Sequence, residues 1–249
     1  MTKRYALKDE QWEQIKDLLP GRMGTVGVTA KDNRLFVEAV LYRYRSGIPW
    51  RDLPERFGDF RVVHTRFSRW AKTGVWQRVF EVLSHDSDNE YAMLDSTIVR
   101  AHQHSAGGKN QAIGRSKGGL STKINTRTDA LGNPTGFYLT DGQAHDLNGS
   151  DVLLLDLSLS QTWLMDKAYN SRDRVIDPIL EAKGQVVMPA KSNSIDQRDY
   201  DRHLYKARHL IENFFAKLKQ YRAIATRYDK LAQNFLSAIY LASTIIWLN

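Results

Sequence analysis

Residues 91–99 read YAMLDSTIV, and residues 121–140 read STKINTRTDALGNPTGFYLT. The first run is apolar and β-branched around a single carboxylate, which predicts a strand from Tyr91 to Val99. The second holds two strand candidates, Ser121 to Thr128 and Thr135 to Thr140. They are joined by Asp129-Ala-Leu-Gly-Asn-Pro134, whose Gly and Asn-Pro signal a turn, so the pair predicts a hairpin. Downstream the pattern alternates. A helix is expected over Asp151 to Leu157, a strand over Thr162 to Met165, a helix over Ser171 to Lys183 and a strand over Gln185 to Met188. A polar loop follows, then helices over about Asp201 to Tyr221 and Leu231 to Leu248. Three leading strands followed by alternating helix and strand specify a mixed α/β sheet.

Upstream the texture is helical. Leu7 to Leu19 carries Trp12, Ile15 and Leu19 at helical spacing, and Pro20-Gly21 ends it. A polar, Gly-containing link spans Arg22 to Ala30. Helices are expected at Asp32 to Arg45, Leu53 to Phe57 and Arg61 to Lys72. The last sets Arg61, Thr65, Arg69 and Lys72 against Val63, Phe67, Trp70 and Ala71. A short helix, a Gly turn and a basic amphipathic helix resemble a helix-turn-helix, with Arg61, Thr65, Arg66 and Arg69 facing DNA. The plainer alternative is the solvated face of a bundle. The boundary expected is a helical DNA-binding domain over 1–85 and a catalytic domain over 86–249.

Charge supports a polyanionic partner: 36 Lys and Arg stand against 28 Asp and Glu, a net charge of +8. An acidic membrane surface is the competing partner, but no basic amphipathic tail is present. The absence of cysteine excludes disulfides and thiolate metal sites. Met1 to Glu10 lacks the apolar core of a signal peptide. The longest apolar stretch, Phe235 to Leu248, is short for a membrane span and contains Ser237, Ser243 and Thr244. A soluble, cytoplasmic, nucleoid-associated bacterial protein with no membrane partner is expected.

Asp95 and Asp166 each follow an apolar strand run, at the rim of the sheet. Such a carboxylate is a poor packing choice and a good metal ligand, although a turn or cap role is the commoner one. Glu212 is the only acid between Arg202 and Arg227. The spacing Tyr205, Arg208, Glu212, Lys219 falls on a helical stripe roughly 60° wide. An Arg208–Glu212 pair at i,i+4 is the plain alternative. Three carboxylates from two strand ends and a helix can hold two divalent cations for an in-line phosphoryl displacement.

These residues resemble the DDE transposases of bacterial insertion sequences, in the broad insertion-sequence-five group. Leu94-Asp95-Ser96-Thr97 with Arg100-Ala101-His102 resembles the first catalytic block, and Asp166-Lys167-Ala168-Tyr169 the second. The Tyr205, Arg208, Glu212, Lys219 spacing resembles the third, a Y-R-E-K signature. Tyr5-x-Leu7-x-Asp9-x-Gln11-Trp12, Tyr44-Arg45-x-Gly47-x-Pro49-Trp50-Arg51-Asp52-Leu53-Pro54, Gly114-Arg115-Ser116-x-Gly118-Gly119 and Asp141-Gly142-Gln143-x-His145-Asp146 extend the likeness over nearly the whole chain. The resemblance implies an RNase H-like catalytic domain with Asp95, Asp166 and Glu212 as catalytic metal ligands. It implies Mg²⁺, with Mn²⁺ able to substitute, and cleavage and strand transfer at terminal inverted repeats. It implies Arg208 and Lys219 on phosphate, Tyr205 placing the substrate, and double-stranded DNA and target DNA as partners of at least a homodimer. Ala168, where glycine is usual, and Asn125, where histidine is common, are departures.

The acid-free segment 101–128 adds Arg115, Lys117 and Lys123 as DNA contacts, and its glycines Gly107-Gly108 and Gly118-Gly119 fit a flexible basic loop that orders on DNA. His102, His104 and His145 are the residues of a competing structural zinc site. Asp146 is expected in the first turn of a helix. The terminal helix 231–248 is either core or a dimer surface. Two other functions stay open: a non-catalytic DNA-binding protein derived from a transposase, and an RNase H-like nuclease without strand transfer.

Overall fold

The computed structural model describes residues 5–22, 24, 29–157, 160–191 and 198–249. The link expected at 22–30 and the polar loop before Asp201 lie largely outside them. Four helices lead: α1 (Asp9–Ile15), α2 (Asn33–Ser46), α3 (Phe60–Lys72) and α4 (Val75–Ser84). Asp32 and Asp59 cap α2 and α3, accepting from Leu35 N and Arg61 N at 2.8 Å each. The short helix expected at Leu53 to Phe57 is instead two 3₁₀ turns, Trp50–Asp52 and Glu55–Phe57. Pro54 has no N–H to continue a helical ladder, so it separates them. Gly58, at φ 80°, turns the chain into α3.

The sheet comprises β1 (Ala92–Ala101), β2 (Gly114–Ser116), β3 (Gly119–Thr128), β4 (Pro134–Asp141), β5 (Thr162–Met165), β6 (Gln185–Val187) and β7 (Thr226–Arg227). Strand β3 pairs antiparallel with β1, β4 and β2, while β5 and β6 add in parallel on the far side of β1. A three-stranded antiparallel unit continued by parallel strands is the RNase H-like arrangement. The remaining helices are α5 (Leu147–Leu153), α6 (Asp177–Glu181), α7 (Arg202–Tyr205), α8 (His209–Lys219), α9 (Arg222–Ala225) and α10 (Ala232–Trp247). Three expectations shift. Helix α5 begins four residues before the expected Asp151. The expected helix 171–183 opens as a wide π turn over Arg172–Ile176 before α6. The expected helix 201–221 is α7 and α8 joined by a 3₁₀ turn, Lys206–Arg208.

Strand alternation sorts the two faces of the sheet. Met93, Val99, Ile124 and Leu164 join the large core with α2, α3, α4, α8 and α10. Ala92, Leu94, Trp163 and Met165 face a second core with Leu153, Tyr169, Val175, Ile176 and Ile179. In the large core Phe80, Phe137 and Tyr240 pack in tilted and edge-on pairs with centroids 5.1–5.5 Å apart, joining α4, β4 and α10. Phe235, Ala238, Ile239 and Leu241 are buried, so α10 is core. The leading helices and the sheet therefore share one hydrophobic cluster.

Candidate active site and nucleic-acid surface

Register brings the first two carboxylates together. Leu94 pairs with Met165 across the parallel β1–β5 ladder, which sets Asp95 beside Asp166, the residue just past the end of β5. The rim position expected for Asp95 is corrected: β1 runs on to Ala101, and Asp95 pairs with Thr126 of β3. Both lie two residues beyond a pair, Met93 and Leu164, that points into the large core, so both belong to that face. Strand β5 pairs with Ala92 to Leu94 and β7 with Arg100 and Ala101, which leaves the edge of β1 between them open. The carboxylates stand at that opening. The Ser96 N–H donates to Asp95 Oδ1 at 2.8 Å, and the Ala168 N–H donates to Asp166 Oδ1 at 2.7 Å. Asp166 thus also caps the 3₁₀ turn Lys167–Tyr169. Ala168 has no positive φ, so alanine suits this turn in place of glycine.

The stripe on α7 and α8 reaches this opening through Arg208. Its Nη2 donates to Asp95 Oδ2 at 2.6 Å, and its Nη1 donates to the Tyr205 hydroxyl at 3.2 Å. Arg208 thus pairs with Asp95 across 113 residues. Burial pushes the Asp95 carboxyl above the usual aspartate value, against the pull of Arg208 and the Ser96 N–H, and Asp166 adds repulsion. Glu212, one turn beyond Arg208, is exposed in the first turn of α8. Lys219 is exposed at the end of that helix. Among the described residues no three His, Cys, Asp or Glu side chains stand together as a metal-holding group. The pair Asp95–Asp166 has the chemistry for a hard cation: adjacent oxygen donors, one of them already engaged by a positive charge. The histidines do not form the alternative site. His102 accepts from the His104 N–H at 3.3 Å and stacks on Tyr228, and His145 Nδ1 accepts from the Leu147 N–H at 3.3 Å.

The basic residues separate into exposed and engaged groups. Arg115 and Lys117 are exposed on and beside β2. Lys123, expected as a DNA contact, is buried on β3 and pairs with Asp146 at 2.8 Å, which removes it from the DNA-facing set. On α3, Arg61, Thr65 and Arg69 are exposed, with Arg61 paired to Asp59 at 3.0 Å. Arg66 is packed differently: its guanidinium lies 4.2 Å from the Phe36 ring and 4.8 Å from that of Trp70. Arg66 and Arg69 line a cleft of about 650 Å³ that also takes Arg78 from α4. Arg78 stands outside the cations expected at DNA; the signal for its helix is the spacing of Val75, Trp76, Val79 and Phe80.

Comparison with known proteins gives two family matches. Residues 87–247 match the family described as transposase DDE domain, and residues 7–80 match that described as putative transposase of IS4/5 family. The chain is 34% identical over 131 residues to a putative transposase for insertion sequence element IS6501 of Brucella ovis, covering 52% of this chain and 99% of that protein. It is 50% identical over 111 residues to the uncharacterized protein y4sN of Sinorhizobium fredii, covering 44% of this chain and 87% of that protein. A solved structure of a pre-cleavage Mos1 transpososome aligns at 11% identity over 90% of this chain and 79% of that one, with a TM-score of 0.28. That score is too low to show a shared fold.

Proposed function

The chain belongs to the transposases with a DDE domain, and we propose that it cuts and joins DNA at the terminal inverted repeats of an insertion sequence. The observation that carries this reading is the placement of Asp95 on β1 and Asp166 just past the end of adjacent β5, on one face, with Arg208 already on Asp95. Asp95 and Asp166, joined by Glu212, would hold divalent cations, Mg²⁺ with Mn²⁺ as substitute. Such ions activate the attacking oxygen and stabilise the leaving one. The chain's own part is to place the scissile phosphate. Arg208 exchanges Asp95 for a phosphate oxygen when DNA enters, and Tyr205 follows it through their hydrogen bond. Lys219 meets the backbone further along α8. Arg115 and Lys117 extend this track, and the exposed face of α3, with Arg61, Thr65 and Arg69, takes duplex DNA over the region 1–85. Pairing two element ends calls for a dimer or larger assembly, acting in the cytoplasm on the bacterial nucleoid.

The test uses duplexes carrying the inverted repeats that flank the coding sequence. Asp95→Asn, Asp166→Asn and Glu212→Gln are each expected to abolish Mg²⁺-dependent nicking, and full activity in any of them removes that residue from the site. A pre-cleaved end offered to a target duplex separates transposase from nuclease, since only the former joins the strands. The exposure of Glu212 favours one second reading, a DNA-binding protein that no longer cuts. Nicking by the unaltered chain rules it out.

A further inference from the structure

The loop Asp141 to Asp146 has no part in the function proposed above, yet it is tightly packed. A Cβ on Gly142 would lie 2.0 Å from Ser121 Oγ, and one on Gly114 would lie 1.8 Å from Gln143 Oε1. The loop places Asp146 at the N-cap position of α5, where an aspartate ordinarily accepts a first-turn N–H. Asp146 makes no such bond. Its Oδ1 instead accepts from Ser96 Oγ at 2.6 Å and from Lys123 Nζ at 2.8 Å. Lys123 is buried and also donates to the Ala144 carbonyl at 2.5 Å. Burial alone would raise the Asp146 carboxyl, but the bonds from Lys123 and Ser96 outweigh it and hold it below the usual value.

The one hydroxyl proton of Ser96 goes to Asp146. Strand alternation puts Ser96 and Lys123 on the α5 face of the sheet, opposite Asp95. The network touches Asp95 from behind, because Ser96 also holds Asp95 Oδ1 through its backbone N–H.

We infer that Asp146 is a positioning residue that, through Ser96, holds the segment of β1 bearing Asp95 in place from the opposite face of the sheet. This rests on the reading of Asp95 and Asp166 as a cation-holding pair. Partners that orient metal-binding groups from behind typically change affinity about 10- to 100-fold.

The test uses the full chain with Asp146→Ala, Ser96→Ala and Ser96→Thr, and two measurements. The first is amide hydrogen exchange of the metal-free protein at positions 95–97 and, as reference, 137–139. The second is Mn²⁺ binding followed by electron paramagnetic resonance. In Asp146→Ala and Ser96→Ala, exchange at 95–97 rises about tenfold or more while the reference stays. Half-saturation by Mn²⁺ rises about 10- to 100-fold, and Ser96→Thr, which keeps the hydroxyl, stays close to the parent. Exchange at 95–97 that is unchanged or that rises equally in the reference overturns the inference, as does Mn²⁺ half-saturation within about twofold of the parent. If Asp95→Asn still cleaves DNA, the functional reading fails by itself, and the exchange data still decide whether Asp146 holds the segment bearing Asp95.

Discussion

Asp95 and Ser96 are neighbours in sequence and sit on opposite faces of one strand, in opposite electrostatic conditions. On the α8 face, Asp95 is half-buried beside Asp166, and its ionised form is held against its preference with Arg208 in attendance. On the α5 face, the charge of Asp146 is favoured by Lys123 and by the Ser96 hydroxyl. One face stores unfavourable charge, which suits the cation and phosphate binding proposed for it. The other is a satisfied polar network suited to holding geometry. A twofold alternation along β1 is enough to separate the two roles.

The sharpest way to break this contrast is on catalysis. Asp95→Asn and Asp166→Asn are expected to lower Mg²⁺-dependent cleavage by about three orders of magnitude, the upper scale on which losing one transition-state stabiliser acts. A variant retaining a tenth or more of the parent rate in single-turnover nicking, on the order of one kcal/mol, would remove the special status of that face.

Next come substitutions that disturb each face sterically or by charge. Gly149→Ala would set a Cβ 2.2 Å from Asn125 Cγ, pushing α5 off β3, and should cost about 1–3 kcal/mol in urea unfolding. Arg208→Ala removes the charged donor of Asp95 and should cost about 1–3 kcal/mol in EDTA. A neutral result for both would mean that neither face is held as described.

The pH dependence should have opposite signs. The folded-state value of Asp146 is depressed, so its contribution is present above the unfolded value of about 4 and is lost as pH falls through the folded value. That of Asp95 is raised, so its contribution is present below about pH 4 and is lost as pH rises through the folded value. In EDTA at neutral pH, Asp95→Asn should therefore raise the melting temperature and Asp146→Asn lower it, with both differences shrinking in acid. Shifts of the same sign would contradict the contrast. The smallest effect concerns DNA. Arg69→Ala should reduce the salt slope of duplex binding by about one, while Arg66→Ala, stacked on Phe36 and Trp70, should act chiefly on stability.

Much of this was legible in the residues because strands announce themselves by apolar runs. Tyr91 to Leu94 and Thr162 to Met165 end in aspartates, and that pattern alone located both carboxylates. The pairing of Arg208 with Asp95 was not legible, since i,i+4 spacing pointed to Glu212 and only the tertiary fold brings α7 and α8 to β1. Lys123 looked like one more cation in an acid-free segment. Its alternation with Ser121 and Asn125 was the available signal that it lies beneath α5. The early start of α5 was hidden by Gly149, poor in helices yet required here by contact with Asn125. Helix α4 carries the spacing of an amphipathic helix in Val75, Trp76, Val79 and Phe80, a signal as plain as that of α3 though without its row of cations.

The central claim is that two strand-borne carboxylates and the helix-borne Glu212 serve one ion site. Fe²⁺ can be exchanged for Mg²⁺ in the DNA-bound protein and the polypeptide mapped after local hydroxyl-radical cleavage. The account predicts cuts beside positions 95, 166 and 212 together, lost in Asp166→Asn. Cuts elsewhere, or cuts at 95 and 166 that spare 212, would contradict it.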